Sequence, residues 1–166
     1  TSFKATDVII VANPIKTADR LHSVKRVVSL TEVRKEWEED PLKEGAFVDL
    51  LKYNVKSDQL EATQDLINGD SDIVKAIAAN VKEWAGNWDA VWNNIMLRAK
   101  VKQLLVDYAN RSKNLDFLEA GFVIKANDHF HRVSESVREE TGYLDNKRIV
   151  FEWTDWLKKQ MREIIR

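Results

Sequence analysis

The chain has 166 residues, a formal net charge of −1 and no cysteine. That length suits one domain or one and a fraction, and the near-zero charge offers no basic surplus for nucleic acid and no polybasic run for an acidic membrane surface. Without cysteine there is no disulfide, no thiolate catalysis and no cysteine-ligated zinc or iron–sulfur centre.

Three strands are predicted first. Asp7-Val8-Ile9-Ile10-Val11-Ala12 is an apolar, largely β-branched run that Asn13-Pro14 should stop. It is also the longest apolar run, and far too short to cross a bilayer. Arg26 to Val33 alternates as the second strand, and Ala46 to Tyr53 is the third. A three-stranded sheet needs more chain on its face or edge. The opening Thr1-Ser2 leads almost at once into a buried-type strand, which reads as a piece cut from a longer protein.

Lys16 to Lys25 links the first two strands and carries Lys16, Arg20, His22 and Lys25, with Arg26 opening the next strand. The default reading of such a run is a solvated hairpin loop. The functional alternative is a basic loop facing an anionic ligand or a neighbouring subunit. Arg34 to Glu44 reads as a long exposed connection whose Trp37 should pack back onto the sheet. Val55 to Leu66 is polar without a clear period, with a short helix possible around Gln59 to Ile67.

Asn68 to Asp72 is a turn and a helix start, with Asp70 or Ser71 as cap. Ile73, Ile77, Val81 and Trp84 then follow helical spacing, and Gly86 should end that helix. Asn87 should cap a second helix from Trp88 to about Asn110, with Val91, Trp92, Ile95, Met96, Ala99, Leu104, Leu105 and Tyr108 as its apolar set. A third starts near Asn114 or Asp116 and carries Leu115, Leu118, Phe122, Ala126, Phe130, Val133 and Val137 up to Thr141-Gly142. The last, Lys147 to Arg166, shows Ile149, Trp153, Trp156, Leu157, Met161, Ile164 and Ile165. The expected class is α+β. A small sheet of about three strands fills residues 1–57, and a bundle of about four helices fills 58–166.

Self-contained chemistry is hard to find in these residues. There is no GxxxxGK[ST] or GxGxxG loop, no GxSxG and no HExxH. His129 and His131 lie two apart in Asp128-His129-Phe130-His131, so on a helix they face different ways and no metal site is expected. Glu38, Glu39 and Asp40 read as a solvated acidic loop, and Trp84, Trp92, Trp153 and Trp156 as core. No catalytic residue is assigned.

The order of the pieces nevertheless resembles a known family. Asp7 to Val11, Arg20, Arg26, Val27, Leu30, Glu32 and Val33 are similar to the last strands of the RecA-like motor domain in secretion ATPases. Glu36-x-Glu38-x-Asp40-Pro41 and Phe47 to Asn54 resemble an extra strand region of the archaeal members. Trp88 to Leu105, with W-x-x-I-x-L-R at Trp92 to Arg98, and Phe117-x-Glu119-Ala120 resemble their C-terminal helices. Those are the archaeal type II/IV secretion ATPases, including those that assemble archaella and type IV pili. The resemblance covers nearly the whole chain, more specifically in the strands than in the helices.

It implies the C-terminal portion of a homo-hexameric ATPase, at the cytoplasmic face of the membrane, working with a membrane platform protein. ATP and magnesium would belong to the parent, whose Walker motifs would lie upstream of Thr1. The chain alone is then expected to hold no cofactor and to be inactive. Arg20, Lys25 and Arg26 are the expected inter-subunit contacts, Arg20 and Arg26 foremost because guanidinium groups bind phosphate or carboxylate bidentately, which Lys cannot copy. The competing reading is a free-standing helical protein–protein interaction module.

Overall fold

The structure, a computed structural model, describes residues 2–16 and 21–164. It is α+β: one antiparallel sheet precedes a series of helices, which is the class the sequence implies. The chain divides into two compact units, Thr1–Val91 and Trp92–Arg166.

The first unit is built on a four-stranded meander in the order β1-β2-β3-β4, with strands β1 (Val8–Lys16), β2 (Ser23–Val33), β3 (Phe47–Asn54) and β4 (Gln59–Ala62). Asn13-Pro14 does not stop β1. The strand runs on to Lys16, with Pro14 opposite Lys25. An edge strand tolerates proline because one side of its ladder needs no donor. A bulge between Val11 and Ala12 and a second between Leu30 and Thr31 bend the sheet. The polar stretch after Asn54 supplies β4, an edge strand exposed over Gln59–Glu61. Since neither of its faces meets a core there, it shows no apolar alternation.

Trp37 is buried, as a large aromatic in that connection should be, with the Lys4 ammonium 4.9 Å from its ring centre. Thr63 caps the single turn α1 (Gln64–Ile67), and Ser71 caps α2 (Asp72–Ala79). The helix expected to reach Trp84 therefore stops earlier. Asn80 closes it, its side chain donating to the Ala76 carbonyl, and turns lead on to Gly86 at φ +71°. Asparagine competes with the helical backbone in this way. Gly69, at φ +83°, has a steric requirement as well: a Cβ there would lie 2.7 Å from Cδ2 of Trp88.

Helix α3 (Trp88–Ser112) carries the chain from the first unit into the second. Within the second unit its buried positions are Leu97, Val101, Leu105 and Ala109, whereas Met96 and Ala99 are exposed. Of the apolar set expected from the sequence, Val91 and Leu105 are buried and Trp92, Ile95, Leu104 and Tyr108 half-buried, while Leu97, Val101 and Ala109 fall outside it, on a helix whose apolar residues spread around it. Lys113, at φ +54°, ends α3, and a 3-10 turn over Leu115–Leu118 inserts Phe117 into the core. In α4 (Ala120–Thr141) the buried set is Ala126, Phe130, Val133 and Val137. In α5 (Asn146–Ile164) it is Ile149, Trp153, Leu157 and Met161, a strict four-residue step. Arg148 of α5 bridges Glu152 on its own helix and Glu140 on α4. Of the tryptophans expected in the core, Trp153 is fully buried, while Trp84, Trp92 and Trp156 are half-buried. Among the described residues, no helix is long and apolar enough to cross a membrane.

Candidate functional site

Because β1 reaches Lys16 and β2 begins at Ser23, the connection between them shrinks to residues 17–22. Arg20 lies outside the described residues. Lys25 is exposed on β2, and no ion pair joins it to any other described residue. Its neighbour Arg26 is engaged. Nε and Nη2 of Arg26 donate to Oδ1 and Oδ2 of Asp58 at 2.8 and 2.9 Å, a bidentate fork. Asp58 sits at φ +51° at the end of the β3–β4 turn and also accepts the Tyr53 hydroxyl at 2.7 Å. The fork therefore ties the middle of the sheet to its far hairpin. Sequence reading missed Asp58 and Tyr53, since Asp58 is 32 residues from Arg26 and nothing local links them.

The charges in this cluster are fixed rather than poised. The Arg26 hydrogen bonds, and then the Tyr53 hydroxyl, hold the Asp58 carboxyl well below the usual carboxylate range. In return Asp58 raises Arg26 and, by accepting its proton, raises Tyr53 above an ordinary phenol. An acid that stays ionised and a phenol that stays protonated are poor agents of proton transfer near neutral pH. The cluster can hold a turn and present charge, and it gives no acid–base pair.

The acidic loop has a structural explanation too. Backbone N–H groups of Glu38, Glu39 and Asp40 all donate to the Glu44 carboxylate, at 2.8, 2.9 and 2.7 Å. Those three bonds depress the Glu44 carboxyl below its ordinary value. The loop is thus wrapped around an anion supplied by its own chain. On α4, His129 is stacked on Trp156 with ring centres 4.3 Å apart, and burial lowers its basicity, with Arg132 adding to the effect. His131 is exposed and meets the Phe130 ring edge-on. Among the described residues, no three His, Asp or Glu side chains are grouped to hold a metal ion.

One buried charged group was legible only as part of a strand. Glu32 is fully buried, and its carboxylate accepts the Ser71 hydroxyl at 2.5 Å and the Asp72 N–H at 2.9 Å. Ser71 in turn accepts the Val74 N–H as the α2 cap. Glu32 therefore places a negative group at the N-terminus of α2 and fixes that helix to β2. Arg34, one strand-end further, pairs with Asp70 at 2.9 Å on the same connection.

The second unit contains a mostly apolar recess of about 280 Å³ between α3 and α4. Val101, Leu105, Phe130 and Trp153 form its apolar lining, and Arg98 and Lys102 stand on the α3 side. Comparison with protein-family models, with curated proteins and with solved structures gives no match.

Proposed function

We propose that the chain is the C-terminal portion of a hexameric secretion ATPase of the archaeal type II/IV class. Its hydrolysis would power filament assembly or protein secretion, with ATP, magnesium and the catalytic residues held by the parent's upstream motor domain. The resemblance of Asp7 to Val33 to the closing strands of a RecA-like motor supports this. The observation that carries it is the state of β1. This nine-residue strand lies at the sheet's edge, and Val8, Ile10 and Val11 are exposed, Ile10 at 62 %. The bulge and Pro14 blunt residues 12–16 of this edge, whereas residues 8–11 carry neither device and would be covered inside a larger sheet or against another layer. Of the cations expected between subunits, Arg26 is spent on Asp58, which leaves Lys25 as the described one of them still free to meet an acidic or phosphate partner.

Amide hydrogen exchange across β1 tests the reading. In the monomeric 166-residue chain, the amides of Val8–Ala12 that do not face β2 are expected to exchange as exposed ones do. In the longer polypeptide that extends upstream of Thr1, the same amides should slow by about tenfold or more as the edge is paired or covered. Equal exchange in the two polypeptides would remove the support that β1 gives.

A further inference from the structure

The recess in the helical unit differs from a core defect in two respects: it is open, and its charge is one-sided. Val123 and Ile124 on the α4 side supply its exposed apolar surface, over an almost wholly buried floor of Val101, Leu105, Phe130 and Trp153. Ile124 is 61 % exposed and Val123 40 %, so the apolar surface continues out of the recess onto the helix. The lining includes two cations, Arg98 and Lys102, and no carboxylate. They are one helical turn apart on α3, so they share a face. Arg98 lies 5.9 Å from the Phe130 ring centre, and neither cation forms an ion pair with any other described residue.

At about 280 Å³ the recess falls just short of the roughly 300–1,000 Å³ of small-molecule clefts. It suits a pair of branched apolar side chains better than a whole ligand. The wall between two helices is the geometry by which an amphipathic helix docks, with anchors at i and i+3 or i+4. Unpaired cations along one wall then select the charge of the visitor's flank.

From this placement we propose that the recess between α3 and α4 is a docking site for an acidic amphipathic helix of a partner protein. The partner inserts two neighbouring apolar side chains against Val123 and Ile124, at the edge of Phe130. Its glutamates or aspartates meet Arg98 and Lys102. The site lies wholly within the second unit and does not depend on the ATPase reading.

The test uses the full 166-residue chain and a synthetic 18-residue helical peptide with leucines at i, i+4 and i+7 and glutamates on one flank. A second peptide has the same leucines and lysine in place of glutamate. Binding is read by fluorescence anisotropy, and its position by amide chemical shifts. The glutamate peptide is expected to bind and to shift Arg98, Val101, Lys102, Ile124 and Phe130. The lysine peptide, and the Arg98→Glu/Lys102→Glu chain, should bind about tenfold more weakly or worse. Ile124→Glu, at an exposed position, should weaken binding with no change in helicity. The proposal is overturned by no binding of the glutamate peptide or by equal binding of both peptides. It is equally overturned by shifts located elsewhere, or by phosphatidylglycerol vesicles binding this face when the peptide does not.

Discussion

Trp153→Ala is expected to remove about 3–5 kcal/mol of stability from the helical unit, the range seen when a buried aromatic is truncated. Trp153 is 0 % exposed and lies in the middle of the four-residue ladder Ile149, Trp153, Leu157 and Met161. Its ring meets the α4 set of Ala126, Phe130 and Val133 in one buried cluster, and Nε1 donates to the Ala126 carbonyl at 3.0 Å. Alanine would leave a void that the facing helices cannot close without breaking their own ladder. Phenylalanine keeps most of the apolar volume and loses the donor, so Trp153→Phe should cost only about 1–2 kcal/mol. Urea unfolding followed at amide resonances of α4 and α5 checks both. A Trp153→Ala loss under about 1 kcal/mol would mean that the core lies elsewhere.

Glu32→Ala should be the most damaging single change in the sheet unit, at about 3 kcal/mol. The substitution empties a fully buried site and strips two donors, the Ser71 hydroxyl and the Asp72 N–H, of their acceptor. Each buried donor left unsatisfied costs about 1–3 kcal/mol. Ser71→Ala removes the cap and one partner but leaves the Asp72 bond, and should cost about 1–2 kcal/mol. Because the two residues share one network, the double mutant should cost less than the sum of the singles. Unfolding monitored at resonances of β2 and α2 measures the cycle. Strict additivity, or a loss at Glu32 no larger than at an exposed glutamate, would refute the anchoring role.

Legibility followed the range of the interactions involved. Helices α4 and α5 could be read because their buried residues step by three and four without interruption and a glycine ends α4 at positive φ. The β-branched runs located β1, β2 and β3. What escaped was set by partners distant in sequence. Pro14 looks like a strand breaker until β1 is known to be an edge. The residues of β4 carry no apolar pattern because they have no core to face. The sequence marked Arg26 as a functional cation, yet Asp58 holds it in a fork that only the meander creates. Glu32 reads locally only as one more residue of β2, and becomes an internal anchor because Ser71 and Asp72 arrive 39 and 40 residues later.

That contrast bears on the candidate site as well. The loop expected to reach a neighbour contributes one clamp, Arg26, and two exposed cations, Lys16 and Lys25, among the described residues. Any phosphate or carboxylate from another subunit would have to compete with Asp58 for Arg26, whose guanidinium is already bidentately satisfied. Lys16 and Lys25 carry no such obligation, so on the proposed reading an inter-subunit contact at this end falls to them first.

Magnesium-dependent ATP hydrolysis, measured side by side on the 166-residue chain and on the longer polypeptide that the proposed function expects upstream of Thr1, tests that function most directly. The account predicts turnover by a sixfold assembly of the longer polypeptide and none above a buffer blank for the chain alone, which has no phosphate-cradling loop. Turnover by the 166-residue chain itself, or a longer polypeptide that neither assembles nor hydrolyses ATP, would contradict it.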